Sequence, residues 1–231
     1  MQNPFDTLIS EFHEISPYDG FDSSNFEEDL QGWGSYSPVF ESVIKSLQPK
    51  VIIEVGTWKG ASAIHMSKLL KDNGISAVIL CVDTWLGDSS HWYRTEWRSH
   101  LKLKNGFPNL YYQFLANVMK HNHDDMIIPI PQVSRSACNW FKKLELIPDV
   151  VYLDGSHDQL DVYLDCHDYW QLLGDDSIMF GDDYGGIKNQ GVKLAVDKFC
   201  EELGRKPTII ENKWILTKKN YSNLTNRIKK N

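Results

Sequence analysis

The chain has 231 residues, a formal net charge of −7 and a hydrophobic fraction of 42%. These totals suit one α/β domain with additional terminal segments, and no apolar run is long enough to span a bilayer. The negative charge argues against a nucleic-acid partner, because phosphate binding requires clustered Lys and Arg. Scattered cysteines without metal or redox spacing, and an N-terminus without a signal-peptide pattern, predict a cytoplasmic protein.

The first part of the chain, residues 1–48, is predicted to be a helical and irregular segment that acts as a lid on the domain of residues 49–231. The alternative is that it simply covers the sheet. It is acidic and aromatic and is interrupted by several prolines. Its last helix is predicted to begin at Ser37-Pro38, because proline is tolerated in a first helical turn, and to end before Pro49.

The stretch that follows predicts a strand, a glycine turn and a helix. Val51–Val55 is a short apolar β-branched run typical of a buried parallel strand, and Gly56 and Gly60 interrupt it. Residues 61–70 then carry apolar side chains at helical spacing. Such a turn lies at the carboxyl edge of a parallel sheet, where ligands bind, and glycine lets the backbone approach a ligand closely.

The motif excludes one class of nucleotide site and leaves others open. No Gly-Lys-Ser/Thr ending is present, so a Walker-type phosphate loop is excluded, and the three-glycine dinucleotide fingerprint is incomplete. Glu54 ends the strand and requires a hydrogen-bond donor if it is buried. Asp83 ends the second predicted strand, residues 77–82. It either accepts hydrogen bonds from the ribose hydroxyls of a nucleoside or caps the next segment.

The rest of the chain alternates strand-like and helix-like runs, which is typical of a parallel sheet covered by helices. Residues 86–104, rich in Trp, His and Arg, are predicted to be an insertion at the ligand edge. Thr208–Ile210 and Lys213–Thr217 predict an antiparallel hairpin at the sheet edge. The other predicted elements are strands at 126–130, 149–154 and 177–180 and helices at about 109–120, 134–145, 158–173 and 191–203.

Acidic residues follow several of the predicted strands, and the tips of parallel strands lie at one edge. Asp154, Asp182 and Asp183 would face one another there and repel unless a partner neutralises them. A hard divalent cation with oxygen ligands, Mg²⁺ first, meets that need. The alternative is that one of the two adjacent acids caps the following turn and that no metal binds.

Five motifs in order carry a family resemblance: E-V-G-T-W-K-G, V-D-T-W, Q-V-S-R-S-A, V-Y-L-D-G-S-H and F-G-D-D-Y. From Val51 to Tyr184 the chain resembles Rossmann-like S-adenosylmethionine-dependent methyltransferases, specifically the small-molecule O-methyltransferases related to macrocin O-methyltransferase, which modify sugars and other natural products. The resemblance implies an α/β fold with a mostly parallel seven-stranded sheet, helices on both faces, and a C-terminal antiparallel hairpin whose last strand is inserted in the sheet.

The resemblance also implies site residues. The implied Mg²⁺ ligands are Asp154, Asp182 and Asp183. The implied adenosylmethionine contacts are Glu54, Gly56, Thr57, Gly60, Ser62, Asp83, Ser136 and Asp154. Independently of the resemblance, a set of aromatic and imidazole side chains either shapes the acceptor pocket or serves as ordinary packing, namely Trp33, Trp85, His91, Trp92 and Tyr184.

One departure from the family pattern concerns the general base. Relatives often carry a further acid two residues after the metal-binding Asp, where this chain has Ser156 followed by His157. His157, acting beside Asp154, is the natural catalytic substitute because imidazole titrates near neutral pH. The alternative is a histidine that only orients Asp154 or caps a helix.

The function predicted from the sequence is methyl transfer from adenosylmethionine to a hydroxyl of a small-molecule acceptor, with Mg²⁺ assistance. One alternative is an oxidoreductase or hydroxylase-like protein that uses a nucleotide cofactor on the same fold. Another is a catalytically inactive protein that only binds adenosylmethionine. A homo-oligomer is compatible with the sequence; a membrane or nucleic-acid partner is not expected.

Overall fold

The computed structural model describes residues 4–185 and 190–219. The predicted segment boundaries at residues 1 and 231 therefore lie outside the described residues. Strands and helices alternate through most of the described chain. The strands are β1 (Val51–Val55), β2 (Val78–Asp83), β3 (Ile127–Pro131), β4 (Val150–Leu153), β5 (Ile178–Gly181), β6 (Thr208–Ile210) and β7 (Lys213–Thr217). The helices are α1 (Pro4–Phe12), α2 (Pro38–Leu47), α3 (Ala61–Asp72), α4 (Ser89–Tyr93), α5 (Thr95–Arg98), α6 (Leu110–Lys120), α7 (Ser134–Lys143), α8 (Gln159–Trp170) and α9 (Gln190–Glu202).

The strands form one seven-stranded sheet in the order β3-β2-β1-β4-β5-β7-β6. The first five strands pair in parallel, whereas β7 runs antiparallel between β5 and β6. This arrangement confirms the predicted sheet and the C-terminal hairpin with its inserted last strand. The carboxyl ends of β1, β2, β4 and β5 therefore lie along one edge, where the strand order reverses between β2-β1 and β4-β5.

Two apolar layers cover the sheet, because side chains alternate between its faces along each strand. Ile52 faces the layer built from α2, α3 and α6, whereas Ile53 faces the layer built from α7, α8 and α9. The insertion at residues 86–104 consists of α4, α5 and a short 3₁₀ turn that buries Leu101. None of the described helices is long and apolar enough to cross a membrane.

The N-terminal residues protect the edge of the sheet formed by β3. The Tyr18 hydroxyl donates to the Ile127 carbonyl at 3.0 Å, and His13 Nε2 lies 2.7 Å from the Pro129 carbonyl oxygen. These contacts occupy carbonyl groups that would otherwise be open to another strand.

Candidate functional site

The loop of residues 56–60 between β1 and α3, the glycine loop, requires glycine at both ends. Gly56 has a φ of 82° and Gly60 a φ of 90°, a region that residues with a Cβ rarely adopt. A Cβ on Gly56 would overlap the carbonyl oxygen of Asp154. The glycine loop thus lies directly against the tip of β4, so the two predicted parts of the site are neighbours.

Glu54 lies beneath the glycine loop and is completely buried. Its carboxylate accepts hydrogen bonds from the Thr57 hydroxyl at 3.1 Å and from the Ser62 hydroxyl, which are the donors that a buried acid requires. Burial raises the pKa of the Glu54 carboxyl to about 7, and the two hydroxyls counteract part of that shift. Glu54, Thr57 and Ser62 therefore form one network that fixes the loop from below.

Glu54 is expected to make stability depend on pH. Its pKa is raised from 4.5 to about 7 in the folded protein, so the folded state holds this proton more tightly than the unfolded chain does. Its stabilising contribution is present below the unfolded pKa and is lost as the pH rises through the folded pKa. We expect a loss of roughly 1–3 kcal/mol between about pH 5 and about pH 8 from this group.

Glu54→Gln tests that expectation because glutamine has a similar shape and does not ionise. Urea unfolding at both pH values should show a smaller pH-dependent loss of unfolding free energy in the variant than in the wild type. An unchanged difference between the two pH values would show that Glu54 does not carry the dependence.

Asp83 fixes the glycine loop from the side. Its Oδ2 accepts the backbone N–H groups of Thr57 at 2.9 Å and Trp58 at 2.8 Å, and its Oδ1 accepts that of Trp85 at 2.7 Å. Burial raises the pKa of the Asp83 carboxyl, and the backbone donors oppose that effect. Thr84 contributes a fourth backbone hydrogen bond, so backbone donors engage about as many positions as a carboxylate offers.

Two helices begin at this edge without a side-chain cap. Gly60 precedes α3 and Val133 precedes α7, and neither supplies an acceptor to the first amides of its helix. Ser136 lies exposed in the first turn of α7. The buried start of α3 combines free backbone donors with the positive end of the helix dipole, an environment suited to a carboxylate.

Residues 27–37, here the N-terminal strap, are tied to the glycine loop. The fully buried Lys59 ammonium contacts Asp29 Oδ2 at 2.7 Å and Gln31 Oε1 at 2.6 Å. The Asn117 amide group donates to the Lys59 carbonyl at 2.8 Å and to the Asp29 carbonyl at 2.9 Å. The strap then passes the tip of β5, where a Cβ on Gly34 would lie 2.6 Å from Asp182 Oδ2.

The acid cluster, Asp154, Asp182 and Asp183, divides into two parts. Asp182 contacts the Lys213 ammonium at 2.7 Å, and the side chains of this pair are 6% and 0% exposed. Asp183 Oδ2 instead lies 2.7 Å from Nε2 of His157. Candidate ligand atoms of Asp154, His157 and Asp183 all lie within 4.8 Å of one another. The structure therefore brings His157 into the group and turns Asp182 away from it.

Local electrostatics distinguish the members of this group. Burial, reinforced by the nearby Asp182 charge, raises the pKa of Asp154 well above its ordinary value. The Tyr152 hydroxyl donates to Asp154 Oδ2 at 2.9 Å. The hydrogen bond to Asp183 raises the pKa of the His157 imidazole. His157 is half exposed and is not packed beneath α8, so its ring can meet a ligand.

A small cleft opens at the acid cluster and is lined by Asp154, His157, Asp182, Asp183 and Trp214, among others. The indole N–H of Trp214 is buried and has no hydrogen-bond partner among the described residues. Buried donors are normally paired, so an oxygen atom of water or of a bound molecule in the cleft would satisfy it.

Aromatic rings connect the strap, the insertion and the glycine loop. The ring centroids of Trp33 and Trp97 are 5.5 Å apart, those of Trp97 and His91 5.7 Å, and those of His91 and Trp58 4.5 Å. The expectation that Trp85 shapes an acceptor pocket is wrong. Its ring is buried in the core, where its N–H donates to the Trp58 carbonyl at 2.8 Å.

Sequence reasoning missed two buried lysines of the site. Lys59 follows an aromatic residue inside the glycine loop, and Lys213 begins the apolar run of β7. A lysine at the boundary of a buried strand is a usable signal, because a buried ammonium requires a carboxylate partner. The partners, Asp29 and Asp182, lie far away in the sequence.

Comparisons with known proteins identify a family. Residues 53–184, more than half of the chain, match the sequence model of a protein family described as a methyltransferase domain. This match spans β1 to the acid cluster. No curated protein matches the sequence.

Solved structures share the fold at low sequence identity. CalS11, a calicheamicin methyltransferase, has a TM-score of 0.56 at 14% identity, covering 77% of this chain and 76% of its own. An O-methyltransferase from Bacillus cereus in complex with SAH has a TM-score of 0.56 at 12% identity, covering 91% and 89%. TomG from Streptomyces achromogenes, an O-methyltransferase in complex with SAM, has a TM-score of 0.53 at 12% identity, covering 95% and 91%.

Proposed function

This chain is an S-adenosylmethionine-dependent methyltransferase of the methyltransferase domain family, and we propose that its acceptor is a hydroxyl oxygen of a small molecule. The observation that carries the proposal is the direct contact between Gly56 of the glycine loop and the backbone of Asp154 in the acid cluster. A cofactor on the loop and an acceptor oxygen at the cluster would be held side by side. Such positioning supplies much of the rate of a bimolecular transfer.

The glycine loop and its surroundings fit adenosylmethionine. The uncapped start of α3 suits the carboxylate of the methionyl part, beside Gly60 and Ser62. Asp83 is proposed to accept ribose hydroxyls alongside its backbone donors, and Ser136, which is exposed in the first turn of α7, is proposed to face the base. Glu54 and Thr57 support the loop from beneath. When bound, the cofactor supplies an electrophilic methyl group on a sulfonium.

The acid cluster fits a divalent cation. Asp154, Asp182 and Asp183 lie within one small region, where Lys213 pairs with Asp182 and the imidazole of His157 with Asp183. Removing the remaining carboxylates from water without a counter-charge is costly. Mg²⁺ is the first expectation for a carboxylate-rich site. When bound, such a cation lowers the pKa of an adjacent hydroxyl and so promotes O-methylation.

His157 has two possible roles that exclude each other, because both use Nε2. As a general base, it would take the proton of the acceptor hydroxyl as the methyl arrives. As a cation ligand, it would hold the metal, and the acidified hydroxyl would lose its proton to solvent. The contact of Nε2 with Asp183 at 2.7 Å favours the ligand role.

The acceptor is proposed to be a sugar or another natural product. CalS11 is described as a TDP-rhamnose 3'-O-methyltransferase of calicheamicin biosynthesis, and TomG as an enzyme of tomaymycin synthesis. Aromatic side chains that connect the strap and the insertion, such as Trp33, Trp97 and His91, offer flat surfaces for a ring-shaped acceptor. Residues 1–48 are proposed to act as a lid, because the strap contacts both the glycine loop and Asp182.

A methyl-transfer assay tests this proposal. The protein is incubated with methyl-labelled adenosylmethionine, a divalent cation and a panel of nucleotide sugars, glycosides, catechols and amines. We expect label on hydroxyl oxygens of one acceptor class and a marked loss of transfer when a chelator is added. Transfer confined to amines, or transfer that persists without any divalent cation, would contradict metal-assisted O-methylation.

A further inference from the structure

We infer that the cation ligands of this chain are Asp154, His157 and Asp183, and that this mixed nitrogen and oxygen set binds Mn²⁺ or Zn²⁺ in preference to Mg²⁺. The inference refines the metal site of the proposed function. It differs from the resemblance-based expectation in two ways: Asp182 is not a ligand, and an imidazole is. Imidazole suits transition-metal ions, whereas Mg²⁺ prefers oxygen ligands alone.

Asp182 is held in other contacts through both of its oxygens. Oδ2 contacts the Lys213 ammonium at 2.7 Å, and Oδ1 accepts the backbone N–H of Asp183 at 2.8 Å. The strap closes over Oδ2, where a Cβ on Gly34 would lie at 2.6 Å. Reaching a cation in the cleft would break a buried ion pair, and this would leave Lys213 charged without a partner.

The backbone separates Asp183 from its neighbour. Asp183 has a φ of 62°, a left-handed conformation that costs free energy for a residue with a Cβ. Its side chain therefore extends toward His157 instead of following Asp182 into the interior. Strained conformations of this kind tend to occur where side chains must be placed for binding.

The three proposed ligands come from the ends of two neighbouring strands. Asp154 follows β4, His157 lies in the turn before α8, and Asp183 follows β5. Their candidate ligand atoms lie within 4.8 Å of one another, and His157 Nε2 already faces Asp183 Oδ2. One cation can replace the hydrogen that these two atoms share, with the imidazole binding in its neutral form.

Charge balance supports the same division. Lys213 neutralises Asp182 in the interior, so two carboxylates remain in the cleft. One divalent cation on Asp154 and Asp183 gives a neutral site, whereas recruiting Asp182 would leave Lys213 uncompensated. The lysine thus acts as a positioning residue that keeps one acid of the cluster out of the coordination shell.

The test measures metal binding alone, without adenosylmethionine or acceptor. Bound metal is first removed from the full chain with a chelator. Mn²⁺ binding is then measured by electron paramagnetic resonance, and Zn²⁺ and Mg²⁺ binding by calorimetry. We expect Mn²⁺ and Zn²⁺ to bind at least about tenfold more tightly than Mg²⁺. His157→Gln and Asp183→Asn should each weaken Mn²⁺ binding by at least about tenfold. In His157→Gln, Mg²⁺ binding should change far less.

Control variants separate the loss of a metal ligand from the loss of an ion pair. His167, which forms a comparable ion pair with Glu202 between α8 and α9, provides the control His167→Gln, for which Mn²⁺ affinity should stay at the wild-type value. Because Asp182→Asn leaves Lys213 unpaired, the double variant Asp182→Asn/Lys213→Met is measured beside it. Either folded variant should bind Mn²⁺ within about threefold of wild type, since no ligand is lost.

Two results would overturn the inference: unchanged Mn²⁺ affinity in His157→Gln, or a loss in the folded double variant as large as that in Asp183→Asn. Failure of the proposed function is distinguishable from these outcomes. Selective Mn²⁺ binding without methyl transfer to any hydroxyl would contradict the function and leave the ligand set intact. Methyl transfer to a hydroxyl that is supported by Mg²⁺ and not by Mn²⁺ or Zn²⁺ would support the function and contradict the inferred metal preference.

Discussion

Lys213→Met is expected to lower the free energy of unfolding by about 3–5 kcal/mol. The Lys213 and Asp182 side chains are 0% and 6% exposed and lie 2.7 Å apart. Methionine fills a similar volume but leaves the Asp182 carboxylate charged and buried beside Asp154. Removing one partner of a buried pair costs far more than the pair itself contributes, because the remaining charge keeps its desolvation penalty.

Urea unfolding followed by circular dichroism at neutral pH measures this effect. Lys193→Met is the control, because Lys193 pairs with Asp197 on the exposed face of α9 and its loss should cost far less than the loss of Lys213. The double variant Asp182→Asn/Lys213→Met should recover much of the lost stability. Equal stability losses in Lys213→Met and Lys193→Met would mean that the pair is not buried as described.

Asp83→Ala is expected to weaken binding of S-adenosylhomocysteine by at least about a hundredfold, because each charge-assisted hydrogen bond to a ribose hydroxyl is worth roughly 1.5–3 kcal/mol. The same change removes the acceptor of the Thr57 and Trp58 backbone N–H groups, so the glycine loop loses its lateral support. We therefore expect the variant also to have a lower free energy of unfolding than the wild type.

Calorimetric titration with S-adenosylhomocysteine measures the affinity, and thermal unfolding separates binding from stability. Asp72→Ala is the matched control, since Asp72 lies on the exposed side of α3 and pairs with Lys68. A well-folded Asp83→Ala protein with wild-type affinity would remove Asp83 from the cofactor site and leave it as a loop-fixing residue alone.

Periodicity and turn residues predicted most of the fold, because they report local physical requirements. The apolar run before Gly56 defined β1, and the two short runs near the C-terminus defined the hairpin that the structure forms as β6 and β7. The convergence of Asp154 and Asp183 also followed from the sequence, since the tips of parallel strands must share one edge.

Ion pairs between residues that are distant in the sequence could not be predicted from local patterns. Nothing local in the sequence reveals that Lys213 reaches Asp182 or that Lys59 reaches Asp29. For the same reason, the separation of Asp182 from Asp183 could not be foreseen. That separation depends on a buried partner supplied by β7 and on the left-handed backbone of Asp183.

The most direct test of the account is a calorimetric titration of the wild-type protein with S-adenosylhomocysteine and, separately, with NAD. The glycine loop, Asp83 and the uncapped start of α3 together predict saturable binding of S-adenosylhomocysteine at one site per chain and no binding of NAD. Binding of NAD in the absence of any response to S-adenosylhomocysteine would contradict the account at its centre.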